Sequence, residues 1–282
     1  MKLINEKIQQ KNGKFSLIDI RFEDNGNTKP IIIFCHGFKG FKNWGHFDLI
    51  ADAFSNAGFV FAKFNFSMNG TTEENPIDFA DLDAFGNNNF ETELDELENV
   101  IDFMEINSEK YSGNKNEIYL IGHSRGGGIS ILKTFEDKRI KKLATWASVR
   151  DVADFFINQN LEKWKSDGLI YTLNGRTQQN MPLYYQIYEN YIANKNRLDI
   201  PKAAANIDIP WLISHGTNDT SVPVSFAEIL SRKNKKSDLF LIENADHTFG
   251  GKHPFTENEL PLHTKILVDK CIDFFNLQIV NA

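Results

Sequence analysis

The stretch Ile118-Tyr119-Leu120-Ile121-Gly122-His123-Ser124-Arg125-Gly126-Gly127-Gly128 decides how this chain folds. Four apolar residues in a row read as a strand buried on both faces. The run ends in a tight turn with a serine at its centre and a glycine two residues to either side. Ile129, Leu132 and Phe135 then share one side of a helix that opens on the three glycines. This is the G-x-S-x-G nucleophile elbow, a sharp strand-to-helix turn that holds a serine hydroxyl exposed. Side chains at the flanking positions would collide with the turned backbone, so glycine is required there. The helix N-terminus behind the serine favours developing negative charge. The plainer reading is a Gly-rich βα turn in which Ser124 caps the helix.

Residues further along the chain separate the two readings. A serine nucleophile needs a base, and the base needs an acid to orient it. Downstream, Pro210-Trp211-Leu212-Ile213-Ser214 reads as a strand running into His215-Gly216-Thr217-Asn218-Asp219-Thr220-Ser221-Val222-Pro223. A further strand, Asp238-Leu239-Phe240-Leu241-Ile242, leads to Ala245-Asp246-His247-Thr248-Phe249. Ser124, Asp219 and His247 thus each fall just past the C-terminal end of a strand, the edge of a parallel sheet where ligands bind. Asp219 competes with Asp208 and Asp246 for the acid. Asp246 is adjacent to the histidine, and neighbouring side chains in extended backbone point apart, so Asp219 is preferred. For the histidine, His215 reads as structural and His253 precedes Pro254, where the backbone is restricted.

On these residues the chain resembles the α/β-hydrolase superfamily along nearly its whole length. The loop from His215 to Pro223 is similar to the family's H-G-x-x-D-x-x-V-P form. His36-Gly37-Phe38-Lys39-Gly40, after the strand Ile31–Cys35, is similar to its H-G-F-x-G oxyanion segment. The look is that of bacterial dienelactone-hydrolase and cinnamoyl-esterase types. Phe38 and Lys39 stand where two glycines would be in lipases with an H-G-G-G loop.

The resemblance implies a mostly parallel, doubly wound sheet with helices on both faces and a small helical cap. It assigns Ser124 as nucleophile, His247 as base, and Asp219 as the acid that fixes the imidazole. The backbone N–H groups of Phe38 and Arg125 form the oxyanion hole. Because those donors are main-chain groups, the Phe38 and Arg125 side chains are expected to matter less than Ser124. The activity implied is hydrolysis of small or aromatic carboxylic esters through an acyl-enzyme. A peptidase of acylaminoacyl or prolyl type is the alternative, with Asp167 or Glu189 holding the peptide amine. A non-catalytic ligand-binding homologue is a third reading.

The β–α alternation fits this architecture. Residues 3 to 24 read as a hairpin turned at Asn12-Gly13. A helix is expected at about 45–57 with Gly58 closing it, a strand at 59–64, and a helix at 91–106. The body comprises residues 1–149 and 206–282, and residues 150–205 form the cap. Five of the seven tyrosines lie between Tyr171 and Tyr191. Tyr184, Ile187, Tyr188, Tyr191 and Ile192 follow a helical stripe, which either packs the cap on the body or places Tyr184 and Tyr188 over Ser124.

Composition agrees with a globular enzyme. The chain has 282 residues, 41% hydrophobic and 24% charged, enough to bury one sizeable core. A net charge of −7 without a basic stripe argues against nucleic acid. Two cysteines, Cys35 and Cys271, make no disulfide framework and read as buried small hydrophobes. No H-x-x-x-H helix, Cys/His spacing or G-x-G-x-x-G is present, so neither metal nor cofactor is expected. The N-terminus lacks a signal-peptide core and no run is long enough to span a bilayer, giving a cytoplasmic default with a small-molecule ester as partner and no membrane. No feature of the sequence sets an oligomeric state.

Overall fold

A computed structural model describes residues 1–277. Ten strands and nine α-helices alternate along them. β1 (Lys2–Gln9) and β2 (Phe15–Phe22) form the expected hairpin. β3 (Lys29–Cys35), α1 (Phe47–Asn56), β4 (Val60–Phe64), α2 (Leu82–Asn87), α3 (Phe90–Ile106), β5 (Gly113–His123), α4 (Arg125–Glu136) and β6 (Ile140–Trp146) come after it. Next are α5 (Leu161–Asp167), β7 (Leu169–Leu173), β8 (Asn180–Tyr184), α6 (Gln186–Ala193) and α7 (Ile200–Asn206). The last elements are β9 (Trp211–Gly216), α8 (Ser225–Lys233), β10 (Ser237–Ile242) and α9 (Leu262–Asn276).

The main sheet has the order β1-β2-β4-β3-β5-β6-β9-β10. β1, β2 and β4 pair antiparallel, and every pairing from β4 to β10 is parallel. Strand residues alternate between two apolar cores, as the two-residue pleat requires. Ile31, Ile33 and Cys35 face the layer of α3, α4, α7 and α8, through residues such as Leu97, Ile129, Ala203 and Leu230. Ile32 and Phe34 face α1 and α9, meeting Phe47, Ile50, Leu267 and Phe275. Helices therefore cover both faces, and the near-continuous apolar strands read from the sequence are strands with no wet side. Cys35 and Cys271 are free thiols, one in each core.

Residues 150–205, expected as a small helical insertion, hold the helices α5, α6 and α7 and two strands besides. They contain the antiparallel hairpin β7–β8, with Leu169 opposite Tyr184. α7 lies against the body: Ile200 packs so close to Gly128 of α4 that a Cβ there would meet its Cδ1 at 2.8 Å. No helix of the described residues is long and apolar enough to cross a membrane, and among the same residues no His/Cys/Asp/Glu group is arranged to hold a metal.

One buried acid makes stability pH-dependent. Glu96 on α3 is almost fully buried, accepting from Ser67 N–H at 2.7 Å, from the Ser67 hydroxyl, and from Asn12 Nδ2 at 3.2 Å. Burial pushes its carboxyl from 4.5 up to about 7, with Glu93 adding to the effect against the Ser67 and Asn12 hydrogen bonds. The folded state thus holds this proton more tightly than the unfolded chain, so stability falls as pH rises from about 4.5 to 7. Glu96→Gln is expected to remove that slope. Its stability relative to wild type in urea titrations should rise by roughly 3 kcal/mol between pH 4.5 and pH 8. Parallel wild-type and variant curves across that range would refute the assignment.

Candidate active site

The site lies at the C-terminal edge of the parallel strands. Ser124 joins β5 to α4 with φ 55° and ψ −120°, a left-handed conformation costly for a residue with a Cβ. The turn is held by its main chain: Ser124 N–H bonds Trp146 O at 2.9 Å, and Gly127 N–H bonds Ser124 O at 3.0 Å. Two glycines let the loop after β3 and the elbow approach. A Cβ on Gly37 would sit 2.9 Å from Ser124 Cβ, and one on Gly126 would sit 2.4 Å from the carbonyl oxygens of Cys35 and His36. In the same loop, His36 donates from Nδ1 to Gly37 O at 2.9 Å, and its Nε2 accepts from Phe66 N–H at 3.3 Å. Burial lowers its pKa to about 4, keeping the ring neutral.

Asp219 and His247 meet across the ends of β9 and β10. His247 Nδ1 donates to Asp219 Oδ2 at 2.7 Å. Asp219 Oδ1 accepts the N–H groups of Ser221 and Val222, both at 2.8 Å. Burial works against a charged carboxyl here. Hydrogen bonds from His215, His247 and Val222 outweigh it, and hold Asp219 well below the ordinary carboxylate range. The bond to Nδ1 leaves Nε2 of His247 as the proton-accepting nitrogen. Ser124 and His247 line one cavity of about 510 Å³ with Phe38, Phe90, Phe155 and Phe226. On the other side, both also line a smaller recess of about 120 Å³ with Trp44, Phe47 and Thr248.

The competing candidates lie elsewhere. Asp246 Oδ1 accepts the N–H groups of Thr248 and Gly250, and so closes the histidine loop. Asp208 pairs at the surface with Lys236. His253 Nδ1 accepts from Gly45 N–H at 2.8 Å. The structure places Tyr184 and Tyr188 outside the walls of both cavities beside Ser124. Tyr184 ends β8 rather than entering a helix, because pairing with β7 overrides the helical spacing. Its hydroxyl donates to Asp83 at 3.0 Å. Tyr188 packs edge-on against Phe156 and at a tilt against Tyr185. The aromatic wall is built from phenylalanines instead. Asp167 is exposed and paired with Lys163, and Glu189 is exposed as well.

Four contacts were not read from the sequence. His215, expected to be structural, has Nε2 at 2.9 Å from Val222 O and 3.2 Å from Asp219 Oδ2, so its ring helps to pin the acid. His123, beside the serine, lies 4.8 Å from the His247 ring and donates from Nε2 to His247 O at 2.9 Å. Burial and the neighbouring His247 push its pKa down to about 3. Arg125 is only 4% exposed; Nε bonds Glu93 at 2.7 Å and the guanidinium lies 3.8 Å over the Phe90 ring. Its side chain is therefore also part of the cavity wall. The fourth contact ties Lys39 to β7. His123 and His215 sit inside the two motifs and could have been flagged there. The partners of Arg125 and Lys39 are too remote in the sequence to carry a signal.

The sequence matches the BD-FAE family over residues 18–233, most of the chain. The chain belongs to the BD-FAE family. Its fold is the α/β-hydrolase fold, and it is a hydrolase. The structure is similar to Est1E from Butyrivibrio proteoclasticus, solved with ferulic acid bound: TM-score 0.74, 17% identity, covering 98% of this chain and 100% of that one. It is also similar to a dienelactone hydrolase from Anabaena variabilis, with TM-score 0.63, 15% identity, and coverage of 97% and 96%. A puromycin-hydrolyzing peptidase from Mycobacterium tuberculosis shares the fold at TM-score 0.65 and 13% identity, covering 97% of this chain and 39% of that one. A comparison with curated proteins gives no match.

Proposed function

We propose that this BD-FAE member hydrolyses carboxylic esters of small or aromatic acyl groups through a Ser124–His247–Asp219 triad. The observation that carries this reading is the 2.7 Å bond from His247 Nδ1 to Asp219, beside a serine held in an elbow on the same cavity. Ser124 Oγ attacks the ester carbonyl as His247 Nε2 takes its proton. The tetrahedral oxyanion lies against the N–H groups of Phe38 and Arg125. Arg125 is the first residue of α4, so its N–H has no partner one helical turn back. His247 returns the proton to the departing alcohol, and water then cleaves the acyl-enzyme by the reverse steps. Four phenylalanines around the larger cavity favour a flat aromatic acyl group, and Est1E, with ferulic acid bound, supports the same preference by fold analogy.

The test is a p-nitrophenyl ester series from acetate to octanoate, with a cinnamate-type ester added. The expected result is turnover with kcat/KM higher for the aromatic acyl group than for octanoate, by roughly tenfold. Turnover of aminoacyl anilides and not of any ester would overturn the reading in favour of a peptidase.

A further inference from the structure

We propose that Lys39 is a positioning residue that ties the oxyanion loop to the cap hairpin and so holds the Phe38 N–H in place opposite Ser124. The inference rests on the reading of Phe38 as an oxyanion donor. Lys39 is the next residue along the loop, and it takes φ 57°, a left-handed value that a lysine adopts only when its surroundings impose it. Those surroundings are visible at its far end. Nζ donates to Thr172 Oγ1 at 2.8 Å and to Leu173 O at 2.7 Å, both on β7. The side chain is half-buried, so these two acceptors replace water that the ammonium has lost.

The hairpin is itself anchored, but to a different part of the body. Arg176 bonds Asp78 and Ile77 O, Gln179 bonds Phe79 O, and Tyr184 bonds Asp83. These anchors fix the hairpin relative to residues 77–83. Lys39 passes that fixed position on to the loop after β3. Phe38 reinforces it from the opposite side, packing its ring against Phe85 and Phe155 at 5.4 and 5.6 Å. Lys39 also lies on the walls of both cavities beside Ser124, so its stem stands between them. A displaced loop would move an N–H that stabilises charge only in the transition state. The consequence should therefore fall on kcat rather than on KM.

The experiment compares Lys39→Met, Lys39→Arg, Thr172→Val and the Lys39→Met/Thr172→Val double variant, with p-nitrophenyl acetate as substrate. Circular dichroism and thermal melting establish that each is folded. Removing a whole oxyanion donor costs about 10²–10³-fold, so a loosened one should cost about 10–30-fold in kcat with KM within threefold. Lys39→Arg, which keeps a cationic donor, should recover to within about threefold of wild type. Thr172→Val should cost a few-fold, and the double variant should be no worse than Lys39→Met, because both act through one contact. A rise in KM at unchanged kcat would make Lys39 a substrate contact and overturn the proposal, as would additive losses in the double variant. Full activity of Lys39→Met would also overturn it. If wild type itself turned over no ester, the functional reading would fail first. Wild-type turnover lost in Ser124→Ala but kept in Lys39→Met would defeat the tether alone.

Discussion

Ser124→Ala is expected to lower kcat on any ester substrate by about 10⁴-fold or more, with KM and melting temperature little changed. The reason lies in how the elbow is built. Its shape comes from main-chain bonds to Trp146 O and from Gly127 N–H, none of which involves the serine hydroxyl. Alanine keeps the Cβ that already tolerates φ 55°, so the variant meets the same backbone strain and removes only the attacking oxygen. The cavity walls and the proposed oxyanion donors remain, and the variant should still bind substrate. A fluorophosphonate probe gives an independent readout: wild type should be labelled once per chain, and the variant not at all. More than about one per cent residual kcat, or undiminished labelling, would place the nucleophile elsewhere.

Much of the architecture behind that prediction is legible in the sequence, for physical reasons that vary by element. The strands Ile31–Phe34 and Ile118–Ile121 are readable because both faces meet helices, so no polar residue interrupts them. α1 and α3 are readable because each buries a single stripe. α2 is not, since Leu82–Asn87 is one short segment inside a polar stretch. What makes it a helix is local: the Asp81 carboxylate caps Ala84 N–H at 2.9 Å, and Phe85 packs beneath. The β7–β8 hairpin is hidden because Tyr184, Ile187 and Tyr188 keep helical spacing across a strand–helix boundary.

The candidate site divides along the same line. Ser124, Asp219 and His247, the residues proposed for the triad, are legible because each comes after a strand end in a distinctive loop. The cavity does not. Phe90, Phe155 and Phe226 belong to three separate elements, and only folding turns them toward one space. A period-based reading looks for the wall among clustered tyrosines, because sequence proximity is the only proximity it can measure. The same limit hides Arg125–Glu93 and Lys39–Thr172, whose partners come from other layers of the fold.

Asp219→Asn should be nearly as damaging as loss of the serine, lowering kcat by about 10⁴-fold while KM stays close to wild type. The carboxylate now receives His247 Nδ1–H at 2.7 Å on Oδ2, with the His215 ring at 3.2 Å from the same oxygen. An asparagine that keeps its oxygen on the Ser221 and Val222 N–H groups must turn its NH₂ toward His247. Nδ1 is then an acceptor, the proton moves to Nε2, and the ring can no longer take a proton from Ser124. The same substitution has a stability signature with a definite sign. Because the folded carboxyl is held well below its ordinary 3.8, it contributes stability that is fully present above that value and is lost as pH falls below it. The variant should therefore be less stable than wild type at neutral pH, and the gap should narrow in acid below about pH 4. Chemical denaturation at pH 7 and pH 3 measures it. Retention of a tenth or more of wild-type kcat would mean that the acid is not Asp219. Asp246, now bonded to Thr248 and Gly250 N–H groups, would then have to leave its loop to reach the ring.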